Sequence, residues 1–440
     1  MANYIYNDSH WNYIGGKIIL KNNYLLFGYG ITCKSIKKYF DLFNASYVLY
    51  YNNGEEDALL EDILLNNIDV IVKSPGIIFD CRLLKTAKEK NIKIYSDLEL
   101  YYQIYQPKNL ILITGSVAKT TITSMINILI NENNKFNLVG NIGHPIFNIK
   151  ENYNNLICEA SSFMLHNCYQ TKPHIFILTN IFPHHLDYHG TFKNYIIDKI
   201  KLINNLNEND YLIYNGDDLL LSRLISKIDN VKKLSYGTNC KFNIYINNDK
   251  LYYENNEVDI EQLNYFQKYN LINMLPAILV GLIYKIDIKV LINRLSLFKS
   301  LRNRNEIIYN NKNIIIINDS KSTTPISTYT AIKEIISYKD YYKILILGGI
   351  KKEKFDNLLE FNKDINEVYI YGKSKEQMAS ELDIFNIKLF DTLLDIIKDI
   401  KFNKKTLILF SPGCVSFDQF KSYEERGDFF SNNILNKIND

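Results

Sequence analysis

Along most of this chain, apolar runs of strand length alternate with amphipathic stretches of helix length. Parallel strands need a crossover long enough to hold a helix, so the alternation predicts an α/β class built on parallel sheets. At 440 residues the chain exceeds what one hydrophobic core organises, and two or three domains are expected. No repeat of solenoid length runs through it.

Glycine turns mark where strands hand over to helices. Tyr24–Phe27 reads as a strand, Gly28-Tyr29-Gly30 as a turn, and residues 34–43 as a helix. Glycine lets backbone approach a phosphate, and a helix N-terminus offers unpaired N–H groups, so a diphosphate can sit there. Cys33 stands where a dinucleotide fingerprint carries its third glycine, and no acid follows the next strand near Tyr50-Tyr51-Asn52. A plain glycine turn closing a βα unit is the competing reading.

A second strand, Leu110–Thr114, runs into Gly115-Ser116-Val117-Ala118-Lys119-Thr120-Thr121 and a helix through Ile130. A lysine heading a helix places its ammonium against β and γ phosphates, and the next hydroxyl, Thr120, can ligate bridging Mg²⁺. Ala118 departs from the glycine that usually precedes such a lysine. Further on, the buried-type strand Leu156–Cys158 delivers Glu159 at its carboxyl end, where a carboxylate can complete a magnesium shell.

Three of the seven histidines, His184, His185 and His189, fall within six positions. Imidazole clusters suit transition metals, but without cysteine or HExxH company a magnesium-associated loop beside a nucleotide is equally compatible. Helical spacing puts Tyr195 and Lys199 on one face. A solvated lysine is the default for Lys199; a neutral one could instead add carbon dioxide and offer a metal the carbamate oxygens.

Towards the C-terminus, strands at residues 314–318, 344–347, 368–371 and 407–410 end in polar or glycine residues. Ligands of open parallel sheets collect beyond such ends, which singles out Asp319, Gly348, Gly349, Ser411 and residues 413–416. Pro325 suits a first helical turn.

Composition narrows the function classes. Lysines are dispersed and the net charge is only +3, so no nucleic-acid footprint exists. No run approaches a membrane span and the opening residues lack a secretory pattern, so a cytoplasmic protein without membrane insertion is expected. Six scattered cysteines read as reduced thiols. The Asn-rich stretches 131–137 and 243–256 read as polar loops.

In order and spacing, these segments resemble the Mur ligases, which join an amino acid to a UDP-linked muramoyl precursor with ATP. The likeness runs through residues 115–121, Gly140-Asn141-Ile142-Gly143, Glu159-Ala160-Ser161-Ser162-Phe163, residues 185–191, Lys199, Asn270, Asn273, Arg304-Asn305-Glu306, residues 318–323 and Gly348-Gly349. Residues 411–428 look like the D-glutamate-adding member.

The resemblance implies three domains: residues 1–106, Rossmann-like, for the UDP precursor; 107–299, P-loop ATPase-like, for ATP; and 300–440, Rossmann-like, for the amino acid. Hinges would fall near Pro107 and Ser300. Substrates would be UDP-N-acetylmuramoyl-L-alanine and D-glutamate, joined through an acyl phosphate by a monomer using ATP and two Mg²⁺ ions.

Carried over by residue, Gly28, Ile31, Thr32, Gly76, Asn141 and His185 meet the precursor. Gly115, Ser116, Val117, Ala118, Lys119, Thr120, Thr121, Asn270, Asn273, Arg304 and Asp319 meet ATP. Thr120, Glu159, His185 and carbamylated Lys199 serve the metals. Lys321, Thr323, Lys352, Ser416 and Tyr423 receive D-glutamate, with Lys351 competing for the place of Lys352. Lys119, Lys199, His185 and Arg304 would be catalytic. Cys33, Val117, Ala118, His184, Tyr269, Asn303 and Tyr423 depart from the family pattern. A folylpolyglutamate-type ligase, another Mur member, or a non-catalytic nucleotide-binding regulator are the alternatives.

Overall fold

The computed structural model describes residues 22–51, 58–78, 80–141, 144–263, 271–299, 301–402 and 404–439. Ile142, Gly143, Tyr269, Asn270 and the hinge expected at Ser300 lie outside the described residues. The chain divides into two compact units, residues 1–298 and 299–440.

The first unit contains two sheets. Strands β1 (Tyr24–Phe27), β2 (Tyr47–Tyr50), β3 (Val70–Lys73) and β4 (Lys93–Tyr95) pair in parallel in the order β2-β1-β3-β4. The second sheet comprises β5 (Asn109–Thr114), β6 (Asn137–Gly140), β7 (Asn155–Glu159), β8 (Ile175–Leu178), β9 (Tyr211–Asn215), β10 (Lys232–Gly237), β11 (Ile244–Asn247), β12 (Lys250–Tyr253) and β13 (Asn256–Val258). Their order is β13-β12-β11-β10-β9-β8-β5-β7-β6, with β5 flanked by the parallel strands β8 and β7.

β5 and β8 are almost wholly buried, which is why they read as unbroken apolar runs rather than alternating ones. One core joins the two sheets: Tyr39, Tyr101, Tyr105 and Phe147 belong to the same buried cluster as Leu110, Leu112 and Phe176, and Tyr105 Oη donates to Tyr39 Oη at 2.9 Å.

The stretch 243–256, expected to be a loop, is instead the β11–β12 hairpin. Asn248 and Asp249 carry the positive φ values that a tight hairpin turn requires, 49° and 59°. Asparagine therefore marks the turn, while Ile244, Tyr245 and Leu251 are buried in the strands.

The second unit is one six-stranded sheet: β14 (Glu306–Asn310), β15 (Ile314–Asn318), β16 (Tyr342–Gly348), β17 (Glu367–Tyr371), β18 (Ile387–Phe390) and β19 (Thr406–Gly413) in the order β14-β15-β19-β16-β17-β18. Only the edge strand β14 is antiparallel to its neighbour. Separate apolar clusters cover the sheet's faces. β19 runs three residues past the expected end at Phe410, because a register shift against β16 accommodates Ser411 and Pro412.

Candidate active site

The site is built where β5 ends. The chain turns through Gly115 into the helix Lys119–Ile130. A Cβ on Gly115 would stand 1.8 Å from Thr179 Oγ1, so no side chain fits there. Asn180 fastens the turn: its Oδ1 accepts from the N–H groups of Ser116 (3.1 Å) and Val117 (2.9 Å). Ser116 Oγ shares a 2.8 Å hydrogen bond with Tyr195 Oη. Ala118 caps the helix in the left-handed region, φ 66°, the conformation for which glycine is the usual choice.

Helix first-turn N–H groups lack intrahelical partners and face an anion well. Beside them, Lys119 Nζ folds back onto the Gly115 and Ser116 carbonyls at 2.8 and 2.9 Å. Thr120 is buried in the same turn, and Thr121 follows it.

Lys199, whose spacing alone would leave it in solvent, is 1% exposed. The helix Phe192–Ile200 turns Tyr195 and Lys199 onto the loop, and Lys199 Nζ donates to the Gly115 carbonyl at 2.8 Å and to Thr114 Oγ1 at 3.2 Å. Burial first, then the nearby Lys119 ammonium, hold its pKa well below the usual lysine value; Glu159 and Asp198 pull the other way.

Glu159 is the last residue of β7, which pairs directly with β5. Its Oε1 accepts from Asn141 Nδ2 at 2.9 Å, while Oε2 is buried without a hydrogen-bond partner. Asn141, expected at the precursor, thus orients Glu159. His185, φ 54°, starts the short helix Leu186–His189, with its ring 4.8 Å from Phe163 and 3.8 Å from His184. Burial, with His185, Lys119 and Lys199 nearby, pushes His184 down to about 2, so that ring stays neutral.

His189 turns away from this pair to Asp198 and Ser162. Three neighbouring histidines therefore do not make a transition-metal site together. Among the histidine, cysteine and carboxylate side chains of the described residues, His166, His189 and Asp198 bring three ligand atoms within 4.8 Å of one another.

In the first sheet, Gly28 and Gly76 follow the adjacent parallel strands β1 and β3, with Ile31 and Thr32 opening the helix Ile31–Leu42. Gly28 has φ 115°, and a Cβ there would meet Ser74 Oγ at 2.7 Å. Cys33, in place of a third glycine, packs its Sγ 3.0 Å from the same Ser74 Oγ. Asn273 lies on the helix Leu271–Ile283, which packs against the helix Lys119–Ile130.

In the second unit, Asp319 follows β15 and accepts from Ser411 Oγ (2.7 Å) and the Asn305 N–H (3.2 Å); burial raises its pKa to about 6. Arg304 is close enough to act on the charges of Asp319 and Tyr423. Lys321 Nζ lies 3.7 Å over the Tyr423 ring, and Thr323 is in the same loop. Ser416 is buried. Lys351 is ion-paired with Glu381, whereas Lys352 is exposed.

Residues 113–281 match the Mur ligase middle domain. The UDP-N-acetylmuramoylalanine–D-glutamate ligase of Staphylococcus haemolyticus is 33% identical over 379 residues, 83% of each chain. Its counterpart from Clostridioides difficile is 31% identical over 398 residues, 86% of each.

The chain belongs to the Mur ligase family.

Solved Mur ligases share its fold. The UDP-N-acetylmuramate–alanine ligase of Thermotoga maritima aligns with TM-score 0.59 and 16% identity over 95% of this chain and 99% of that one. The MurF ligase of Thermotoga maritima in complex with ADP aligns with TM-score 0.59 and 16% identity over 86% and 92%. In this chain a lysine-headed helix terminus and a buried carboxylate with one unpaired oxygen stand at adjacent strand ends. Thr120 and Glu159 could hold Mg²⁺, a hard cation suited to their oxygens, and His185 could add a ring nitrogen. Sequence reasoning overlooked Asn180, although it follows β8 by the same strand-end rule that found Glu159.

Proposed function

We propose that this chain is the ATP-dependent ligase that joins D-glutamate to UDP-N-acetylmuramoyl-L-alanine in peptidoglycan precursor synthesis. The observation that carries the reading is that Lys119 and Lys199 meet on the loop after β5 beside Glu159, in a chain 33% identical to an enzyme named for that reaction.

The muramoyl-alanine carboxylate attacks the γ-phosphorus of ATP, ADP leaves, and an acyl phosphate remains. The D-glutamate amine then attacks the acyl carbon, phosphate departs, and the amide nitrogen loses its proton. Lys119 and the helix first turn hold the phosphates and offset the charge that develops on them. Mg²⁺ bound by Thr120, Glu159, His185 and Lys199, the last as its carbamate, would add further positive charge at the phosphate oxygens.

Two ions and a carbamylated Lys199 belong to this reading; the unpaired Glu159 oxygen and the depressed basicity of Lys199 support them. The turns at Gly28, Ile31, Thr32 and Gly76 are proposed for the UDP precursor, with Asn141 and His185 contacting it from the second sheet. Lys321, Thr323, Lys352, Ser416 and Tyr423 are proposed for D-glutamate; the Lys351–Glu381 pair favours Lys352 over Lys351. Three sheets support a division at residues 1–106, 107–299 and 300–440. A cytoplasmic monomer is the proposed setting; among the described residues no helix is long and apolar enough to cross a membrane.

The test is phosphate release with ATP, UDP-N-acetylmuramoyl-L-alanine and D-glutamate, omitting each in turn, with mass analysis of the product. Release should require all three, and L-glutamate should not be incorporated. No phosphate release with all three present would indicate a non-catalytic nucleotide-binding regulator, and incorporation of L-alanine another Mur activity.

A further inference from the structure

Asp198 directly precedes Lys199, is buried, and has no place in the chemistry above. Its Oδ2 accepts from two rings, His166 Nδ1 at 2.8 Å and His189 Nδ1 at 3.0 Å. A carboxylate only accepts, so both rings donate through Nδ1. His189 is fully buried and engages Ser162 Oγ through its second nitrogen at 3.0 Å. Lys201 Nζ stands 3.8 Å from Asp198 Oδ1.

These contacts join three segments. Ser162 opens and His166 closes the helix Ser162–His166, which begins three residues after Glu159. His189 closes the short helix that His185 caps. Asp198 shares its helix with Lys199. Glu159 thus precedes the first segment by three residues, His185 caps the second and Lys199 lies on the third, from which Asp198 touches the other two. The donor atoms lie within 4.8 Å of one another, as a metal would require. With both rings donating to the carboxylate and Lys201 beside it, however, the cluster is satisfied by hydrogen bonds alone.

We infer that Asp198 is a positioning residue: by holding His166 and His189 it sets the spacing of Glu159, His185 and Lys199, and hence how tightly the active site takes magnesium. This rests on reading those three as metal ligands. Partners that orient metal ligands typically account for about 10–100-fold in metal affinity, and they do so without touching substrate.

The experiment compares Asp198→Asn and His166→Gln with the parent enzyme, measuring activity against Mg²⁺ concentration and KM for D-glutamate. We expect the Mg²⁺ concentration for half activity to rise about tenfold or more in Asp198→Asn. His166→Gln should shift it the same way by less, while KM for D-glutamate holds in both. Short carboxylates should not restore Asp198→Asn. A folded Asp198→Asn with an unchanged Mg²⁺ response, even if thermally weaker, overturns the inference. Should that variant fail to fold, an unchanged response in His166→Gln overturns it. Lys199→Ala is assayed in parallel. Full activity there removes the metal-site reading and this inference with it; loss of activity there with an unchanged Mg²⁺ response in Asp198→Asn removes the inference alone.

Discussion

Lys119 and Lys199 direct their side-chain nitrogens at one acceptor: each Nζ lies 2.8 Å from the Gly115 carbonyl oxygen. Two ammonium groups so placed repel, and the one further from water gives up its proton more readily. Lys199 is the more deeply buried, and its basicity is the one depressed. Under the proposed function, this depressed amine near Glu159 is the one that would take up carbon dioxide to form the carbamate.

Replacing Lys199 by alanine should therefore lower ligase turnover by about 100-fold or more, the upper range for disturbing a metal site. Added short carboxylates should restore part of it by supplying the missing oxygens. Turnover is measured with all three substrates saturating, and full activity in the variant would contradict the carbamate.

Lys119→Ala removes a cation aimed at transferring phosphate. Turnover should fall about 10²–10³-fold, as for loss of one preorganised charge-stabilising group. Two of its hydrogen bonds go to loop carbonyls, and the thermal midpoint should move little. A variant that keeps turnover would displace Lys119 from the reaction.

Ala118 occupies left-handed backbone at φ 66°, which costs a non-glycine residue about 1–2 kcal/mol. Ala118→Gly relieves that strain against roughly 0.4–1 kcal/mol of added unfolded-state entropy, so it should be neutral to mildly stabilising. Ala118→Val, with a branched side chain there, should be clearly destabilising. Urea midpoints of the two variants decide; equal losses in both would refute the backbone argument.

Lys351 and Lys352 should separate cleanly. Lys352→Ala is expected to raise KM for D-glutamate about tenfold or more, the scale of a charged hydrogen bond worth roughly 1.5–3 kcal/mol. Lys351→Ala breaks the pair with Glu381 and should mainly cost stability. The reverse pattern would exchange their roles.

Asp97 is buried with one oxygen unpartnered, and burial raises its carboxyl to about 6. The folded pKa exceeds the unfolded value, so its contribution is fully present below about pH 4 and is lost as pH rises through about 6. Asp97→Asn should flatten stability across that window and gain on the order of 2–3 kcal/mol at neutral pH relative to the parent. Denaturation midpoints at several pH values between 4 and 8 test it, and parallel curves for the two proteins would contradict the sign.

Local patterns carried much of the site. Lys119 heads a helix after a buried strand, and Glu159 ends the neighbouring one, because strand ends and helix starts are written in short contiguous segments. Residues 243–256 were misread for the same reason: asparagine counts suggested a loop, and the alternation inside the hairpin was too short to register. The Asn141 amide lies on Glu159, a contact between residues 18 apart that no spacing rule reports.

The sequence by itself determined the α/β class, the strand-end turns and the family, since each depends on residue order and near-neighbour periodicity. Only the tertiary structure decided that Lys199 is buried rather than solvated, that it shares a carbonyl with a lysine 80 positions away, and that Asp198 bridges His166 and His189. Burial and shared acceptors arise from how distant segments pack, and a lysine's letter is the same whether water or a closed loop surrounds it.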